Sequence, residues 1–262
     1  MRVCNLSSGS DGNLTYVETA SAKILVDVGL SCTEICNRLK YIGVEPSEIN
    51  AILITHEHSD HIKGLDVFVN KFHTKVYVHS KGIDAVFSKM KKADKNLFYR
   101  FEENDFSIGD AIISNVCLPH DSIYCSGYII SSNQRKIAII TDLGHTNDVI
   151  LNKIKGSSLV YIESNHDVDM LKNNPNYPMS LKNRILGKNG HLSNLACAKV
   201  VEELAKTGTK QVMLSHLSTH NNYPKLAYDT VCGYLNSVGI VEGENIRVSV
   251  ATVMPSTMFV LN

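Results

Sequence analysis

Residues 55–61 read Thr-His-Glu-His-Ser-Asp-His, and no other stretch constrains the chain so tightly. It places His56, His58, Asp60 and His61 at i, i+2, i+4 and i+5. Imidazoles suit zinc, iron or manganese, and a carboxylate adds a harder ligand. The apolar, β-branched run 52–55 comes immediately before them, so the motif sits at the end of a strand. An extended stretch puts His56 and His58 on one side. A turn into the next helix then brings Asp60 and His61 to a second position. The ordinary alternative is a histidine-rich surface loop. Further metal-binding residues at strand ends weigh against it: His120 after the apolar stretch 112–118, Asp142 after 136–141, and His216 after 211–215. Side chains at the same end of neighbouring strands converge when those strands share a sheet.

Other short β-branched runs predict strands at 23–27, 75–79, 158–163 and 246–252. Helices are expected between them. Ser31 and Glu34 form a capping-box pattern ahead of Ile35, Leu39 and Ile42. A helix is expected over 61–72. Another, capped by Ser193, should run to about Lys206 with Leu195, Val200, Val201 and Leu204 as its buried stripe, stopping at Gly208. A last helix follows Pro224, within 223–238. No low-complexity linker divides the 262 residues. The expectation is a single α/β domain over 1–262, with two packed β-layers and outer helices.

Formal net charge is zero, so bulk charge gives no support for a nucleic-acid partner and excludes no local basic face. Seven cysteines, an odd number without a CxxC pair, do not form a secreted disulfide framework. The N-terminus lacks an apolar leader, and no run of about 18 apolar residues is present. A cytoplasmic protein without membrane contact is expected; the residues leave its oligomeric state open.

The HxHxDH motif, a distant histidine, a strand-terminal aspartate and a late strand-terminal histidine together resemble the metallo-β-lactamase superfamily. That resemblance implies an αββα sandwich and two divalent metal ions (zinc, manganese or iron). His56, His58, His120 and Asp142 would hold one ion. Asp60, His61, Asp142 and His216 would hold the other, with Asp142 bridging. The segments SSGSDGN, LVDVGLS, THEHSDHIKGL, ESNHD, GHLSN and SHLSTHNN are similar, in order, to the YycJ (WalJ, VicX) group. Members of that group are associated with 5′-to-3′ exonuclease activity on single-stranded DNA. The implied reaction is phosphodiester hydrolysis by a metal-bridged hydroxide.

In this scheme Asp60 orients the attacking hydroxide. His191, in GHLSN, is the candidate proton donor to the leaving oxygen or holder of a phosphate oxygen. His166 is a candidate substrate contact, and Asp27 and Glu163 are candidates for orienting ligating histidines. The Ser/Gly loop 7–13, including Ser10 and Asn13, can cradle a phosphate through backbone N–H groups, although such loops are common turns. Residues 170–201 hold no Asp or Glu but carry Lys172, Lys182, Arg184, Lys188, Lys199 and Tyr177. Basic groups with an interleaved aromatic suit a single strand of nucleic acid, DNA by the resemblance. Lys89, Lys91, Lys92 and Lys95 read instead as a solvated helix face.

Three rivals remain at this point. A small-molecule (cyclic) phosphodiesterase would use the same ligands but a closed pocket rather than an open groove. A thioester or lactam hydrolase fits less well, because the acid of HxHxDH is retained. A non-catalytic module would be expected to have lost ligands.

Overall fold

The computed structural model describes residues 1–261. The first half runs β1 (Arg2–Ser7), β2 (Leu14–Glu18), β3 (Lys23–Val26), α1 (Cys32–Tyr41), β4 (Ala51–Leu53), α2 (Ser59–Ile62), α3 (Leu65–Phe72), β5 (Lys75–His79), α4 (Ile83–Lys89) and β6 (Phe98–Phe101). Next come β7 (Phe106–Ile108), β8 (Ala111–Leu118), β9 (Cys125–Ser132), β10 (Arg135–Ile140), α5 (Asp148–Ile154) and β11 (Leu159–Glu163). The chain continues through α6 (Val168–Asn173), α7 (Met179–Leu186), α8 (Asn194–Lys206), β12 (Gln211–Ser215), α9 (Pro224–Ser237), β13 (Arg247–Val250) and β14 (Phe259–Val260).

Among the described residues the strands form two seven-stranded sheets, ordered β14-β1-β2-β3-β4-β5-β6 and β13-β12-β11-β10-β9-β8-β7. Each is antiparallel on one side and parallel on the other. In the first, β1, β2 and β3 pair antiparallel, and β3 to β6 pair parallel. In the second, β7 to β10 are antiparallel and β10 to β13 parallel.

Strand alternation sorts the side chains into layers. Ile24 and Val26 of β3 face the second sheet, in a layer with Tyr128, Ile139, Tyr161 and Met213. Leu25, between them, turns to the other face, where Ile35, Leu39, Phe68 and Val86 cover the first sheet with α1, α3 and α4. On the second sheet Ile140, Val160 and Leu214 pack under α5, α8 and α9 through Ile150, Val201 and Val231. The arrangement is the αββα sandwich expected from the sequence. Burial of each such aliphatic side chain stabilises the fold by about 1.5–3 kcal/mol. No helix among the described residues is long and apolar enough to cross a membrane.

Most strand and cap expectations match to within a residue or two; Ser31 and Ser193 cap α1 and α8 through the N–H groups of Glu34 and Ala196. Two expectations are corrected. The helix over 61–72 is broken into α2 and α3 at Gly64. A Cβ on Gly64 would lie 2.3 Å from the Leu30 carbonyl oxygen. The Gly64 N–H is drawn to the Val28 carbonyl (2.9 Å), which pins the break to the loop after β3. Leu195 is 48% exposed rather than buried. The buried face of α8 is rotated toward Cys197, Ala198, Val201 and Leu204, which recur at helical spacing.

Candidate metal centre

The parallel strands of both sheets end on one side, and the reactive residues follow within a few positions of those ends. Asp27 follows β3, Asp142 lies just beyond β10 and His216 follows β12. All three have a left-handed backbone, with φ of 60°, 66° and 57°. Each such residue costs about 1–2 kcal/mol relative to the ordinary right-handed conformation. Asp and His tolerate the left-handed region better than bulky residues do.

Four donor groups arise from this arrangement: His56–His58–His120, His56–His61–Asp142, Asp60–His61–His216, and Asp142–Glu163–His191–His216. In each, the donor atoms lie within 4.8 Å of one another. All seven residues expected as ligands are thus brought together. Asp142 Oδ2 approaches His61 Nε2 at 3.3 Å, while Asp142 Oδ1 lies 3.8 Å from His120 Nε2. One carboxylate therefore reaches both halves of the cluster. Asp60 Oδ2 lies 3.3 Å from His61 Nε2 and 3.5 Å from His216 Nε2.

Two atoms test whether cations fit here. His56 Nε2 and Asp142 Oδ2 are buried and have no hydrogen-bond partner. Orphaned buried polar atoms are costly and rare. Both belong to donor groups, so a metal ion is the partner that satisfies them. The donor set is that of a two-metal site.

An outer ring of hydrogen bonds sets the imidazole orientations. Asp27 Oδ2 meets His61 Nδ1 at 2.7 Å and leaves Nε2 directed at the centre. Thr55 donates to the same carboxylate from its N–H (2.9 Å), and its hydroxyl joins Asp27, His56 and His61. Glu163 Oε1 takes the Nδ1 sides of both His191 (2.8 Å) and His216 (2.7 Å). Its Oε2 accepts the N–H groups of Leu143 and Leu192. With both oxygens engaged this way, Glu163 orients histidines although it stands among the candidate donors.

The charges follow from these contacts. Burial opposes ionisation of Asp60, yet His61 and His216 hold its carboxyl far below the usual carboxylate range. Burial likewise opposes ionisation of Glu163, and His191 and His216 outweigh it. Burial would neutralise His191, but Glu163 raises its pKa above the ordinary imidazole value. Burial, reinforced by the neighbouring histidines, keeps His56 neutral, the form that ligates metal.

The remaining sequence candidates take varied positions. His191 stands with its ring centroid 5.1 Å from that of His120 and 5.4 Å from that of His216, and its side chain is partly open to solvent. His166 is buried, with neither ring nitrogen partnered, and its pKa is lowered to about 4 by burial. Asn13 is buried, and its amide lies against His61 Nε2 (3.2 Å) and Asp60 Oδ2 (3.4 Å). In the Ser/Gly loop the N–H groups of Ser8, Gly9, Gly12 and Asn13 are already bonded within the protein, and Ser10 is exposed. Lys182 donates to the Lys172 carbonyl (2.6 Å). Arg184 pairs with Asp121, the residue after His120, and so ties α7 to the centre.

Sequence reasoning missed the asparagines that hold the loops around the site. Asn165 donates to the His216 carbonyl (2.9 Å), and Asn222 donates to the Ser164 and Asn165 carbonyls and to Asn194 Oδ1. The signal was present as the asparagines of ESNHD, GHLSN and SHLSTHNN. Gly29 was also missed: a Cβ there would lie 1.6 Å from the Asp60 carbonyl oxygen.

A buried two-metal donor set at the strand ends of an αββα sandwich defines a metal-dependent hydrolase. The model of the metallo-beta-lactamase superfamily matches residues 8–176, and the chain belongs to that superfamily. Within it the chain is related to YycJ/WalJ-like proteins. It is 37% identical over 240 residues to the exodeoxyribonuclease YycJ of Bacillus anthracis, covering 91% of this chain and 90% of that one. It is 34% identical over 248 residues to the exodeoxyribonuclease WalJ of Streptococcus pneumoniae, covering 93% and 91%. Among solved structures, the metallo-beta-lactamase fold protein YhfI of Bacillus subtilis superposes with a TM-score of 0.73 at 14% identity, over 99% of each chain.

Proposed function

We propose that this hydrolase, acting as one domain over 1–262, cleaves phosphodiester bonds as a 5′-to-3′ exonuclease on single-stranded DNA. The observation that carries the chemistry is Asp142, whose two oxygens reach both halves of the donor cluster. The named activity of the two relatives supports the substrate, since each aligns over about nine-tenths of its length with this chain. His56, His58, His120 and Asp142 would hold one ion, and Asp60, His61, Asp142 and His216 the other. Bound divalent ions (zinc, manganese or iron) supply charge neutralisation and a water that ionises near neutral pH.

The protein side chains do the rest. Asp60, whose Oδ2 lies 3.3 Å from His61 Nε2 and 3.5 Å from His216 Nε2, holds the attacking water by accepting its hydrogen bond. His191, kept protonated by Glu163, donates to the leaving oxygen from Nε2 while Nδ1 stays bound to the carboxylate. His166, Ser10, Asn13, Lys182 and Arg184 are assigned to the substrate side. Asn13 acts there through Asp60, which its amide contacts.

The test is a time course on metal-loaded protein with single-stranded DNA labelled at the 5′ end in one tube and the 3′ end in another. Immediate release of mononucleotide from the 5′ label, a shortening ladder from the 3′ label, and loss of both in Asp60→Ala are expected. Turnover of a small cyclic phosphodiester without cleavage of the oligonucleotide would establish the small-molecule phosphodiesterase instead.

A further inference from the structure

A cleft of about 830 Å3 opens beside His58, bounded by α2, α3 and the end of α4. Its size is within the range of ligand sites. Lys63, Lys89 and Lys91 line it, and all three are exposed. Lysine ion pairs among the described residues involve Lys23, Lys81, Lys206 and Lys225, so these three ammonium groups are uncommitted. Between them lies apolar surface: Met90, with Val67 and Ile123 at 57% and 68% exposure.

Two acids also line the cleft; each accepts backbone N–H groups of its walls through one oxygen, and against the three ammonium groups they leave the lining net positive. Glu57 Oε1 accepts the Ile123 N–H at 3.0 Å. Asp66 Oδ1 accepts the N–H groups of Lys92 (3.0 Å) and Ala93 (2.6 Å), fixing the segment that carries Lys91. Three free cations around an apolar floor, beginning at a metal-binding histidine, match one class of ligand. Single-stranded nucleic acid offers phosphates at the edge and flat apolar faces between them.

We propose that this cleft is a nucleotide-binding track for the strand adjoining the scissile bond, with Lys63, Lys89 and Lys91 on its phosphates and Val67, Met90 and Ile123 against its bases. The assignment rests on the phosphodiesterase reading above and adds where the polymer lies. It extends the polymer contact beyond the basic segment 170–201, where Lys182 and Arg184 also have protein partners, to a surface that reads in sequence as a solvated helix face.

The experiment compares the Lys63→Ala/Lys89→Ala/Lys91→Ala protein with a control of equal charge loss, Lys40→Ala/Lys153→Ala/Lys210→Ala. The probes are a labelled oligothymidylate and bis(p-nitrophenyl) phosphate, with oligonucleotide binding also followed by fluorescence anisotropy. In the cleft variant the ratio of kcat/KM for oligonucleotide to that for the small diester should fall about tenfold or more, through KM. The dependence of log binding constant on log salt should become shallower by about 2, at about 0.7 for each phosphate contact. Ala85→Trp, which fills the cleft and leaves the lysines in place, should lower the same ratio. Equal ratios in the cleft and control variants, with wild type active on the oligonucleotide, would overturn the track and leave the nuclease standing. A wild type that turns over the small diester but neither binds nor cleaves the oligonucleotide would overturn the nuclease reading and the track with it.

Discussion

Asp27 and His61, separated by 34 positions in the chain, meet through Oδ2 and Nδ1 at 2.7 Å in a fully buried contact. The carboxylate fixes which imidazole nitrogen faces the centre and increases its basicity. Asp27→Asn keeps the shape but weakens the acceptor. Metal affinity, read by competition with a chromogenic chelator, should fall about 10–100-fold. An unchanged affinity would show that Asp27 merely fills space.

Glu163 supports two histidines with one oxygen, so its loss affects proton transfer as well as binding. A general acid works only while protonated, so activity is lost as pH rises through its pKa. Glu163 raises the pKa of His191, which places that limb at higher pH. In Glu163→Gln the basic limb of kcat should move to lower pH. In His191→Ala kcat on the oligonucleotide should fall about 10²–10⁴-fold. The loss should be much smaller on a nitrophenyl ester, whose leaving oxygen needs no proton. Equal losses on both substrates would remove His191 from the acid role.

His166 links pH to stability. Its folded pKa, depressed by burial to about 4, lies below the unfolded value of about 6.5. Above that unfolded value both states are neutral. As pH falls from there toward the folded value, only the unfolded chain takes the proton, and the folded state loses about 3 kcal/mol relative to it. Urea denaturation at a series of pH values should show this fall in wild type and a flatter profile in His166→Asn. Parallel profiles would mean that His166 titrates normally.

Gly29 sets the position of Asp60 through close backbone approach. A methyl group placed 1.6 Å from the Asp60 carbonyl oxygen forces the two segments apart. Gly29→Ala should destabilise the fold by about 1–3 kcal/mol, the usual cost of overpacking, and should weaken metal binding as well. A variant with wild-type melting and metal affinity would show that the loop yields without disturbing the ligands.

What could be read in advance was whatever depends on local pattern. The strand before His56 and the strand ends at Asp142 and His216 are visible because alternation, β-branching and residue type coincide within a few positions. The cap residues Ser31 and Ser193 are visible for the same reason. The left-handed backbone of Asp27, Asp142 and His216 left no such trace, since Asp and His at a strand end read equally well in an ordinary turn. The role of Asn13 depends on a contact 47 positions away. The three-lysine cleft combines Lys63, just after α2, with Lys89 at the end of α4 and Lys91 beyond it, and local pattern alone reads these lysines only as exposed. Gly64 breaks a helix whose apolar spacing continues across it, because the decisive contact is with Leu30.

The division of the ligands between the two sheets also bears on synthesis. Chains emerge from the ribosome N-terminus first, at about 5–20 residues per second. His56, His58 and His120 can form their donor group well before His216 has been translated. The second group waits for β12, and the first sheet gains its last strand only when β14 arrives beside β1. A nascent chain that ends before β12 lacks His216 and cannot complete the Asp60–His61–His216 group. The full donor set is therefore assembled late, once β12 has joined the second sheet and brought His216 beside Asp60.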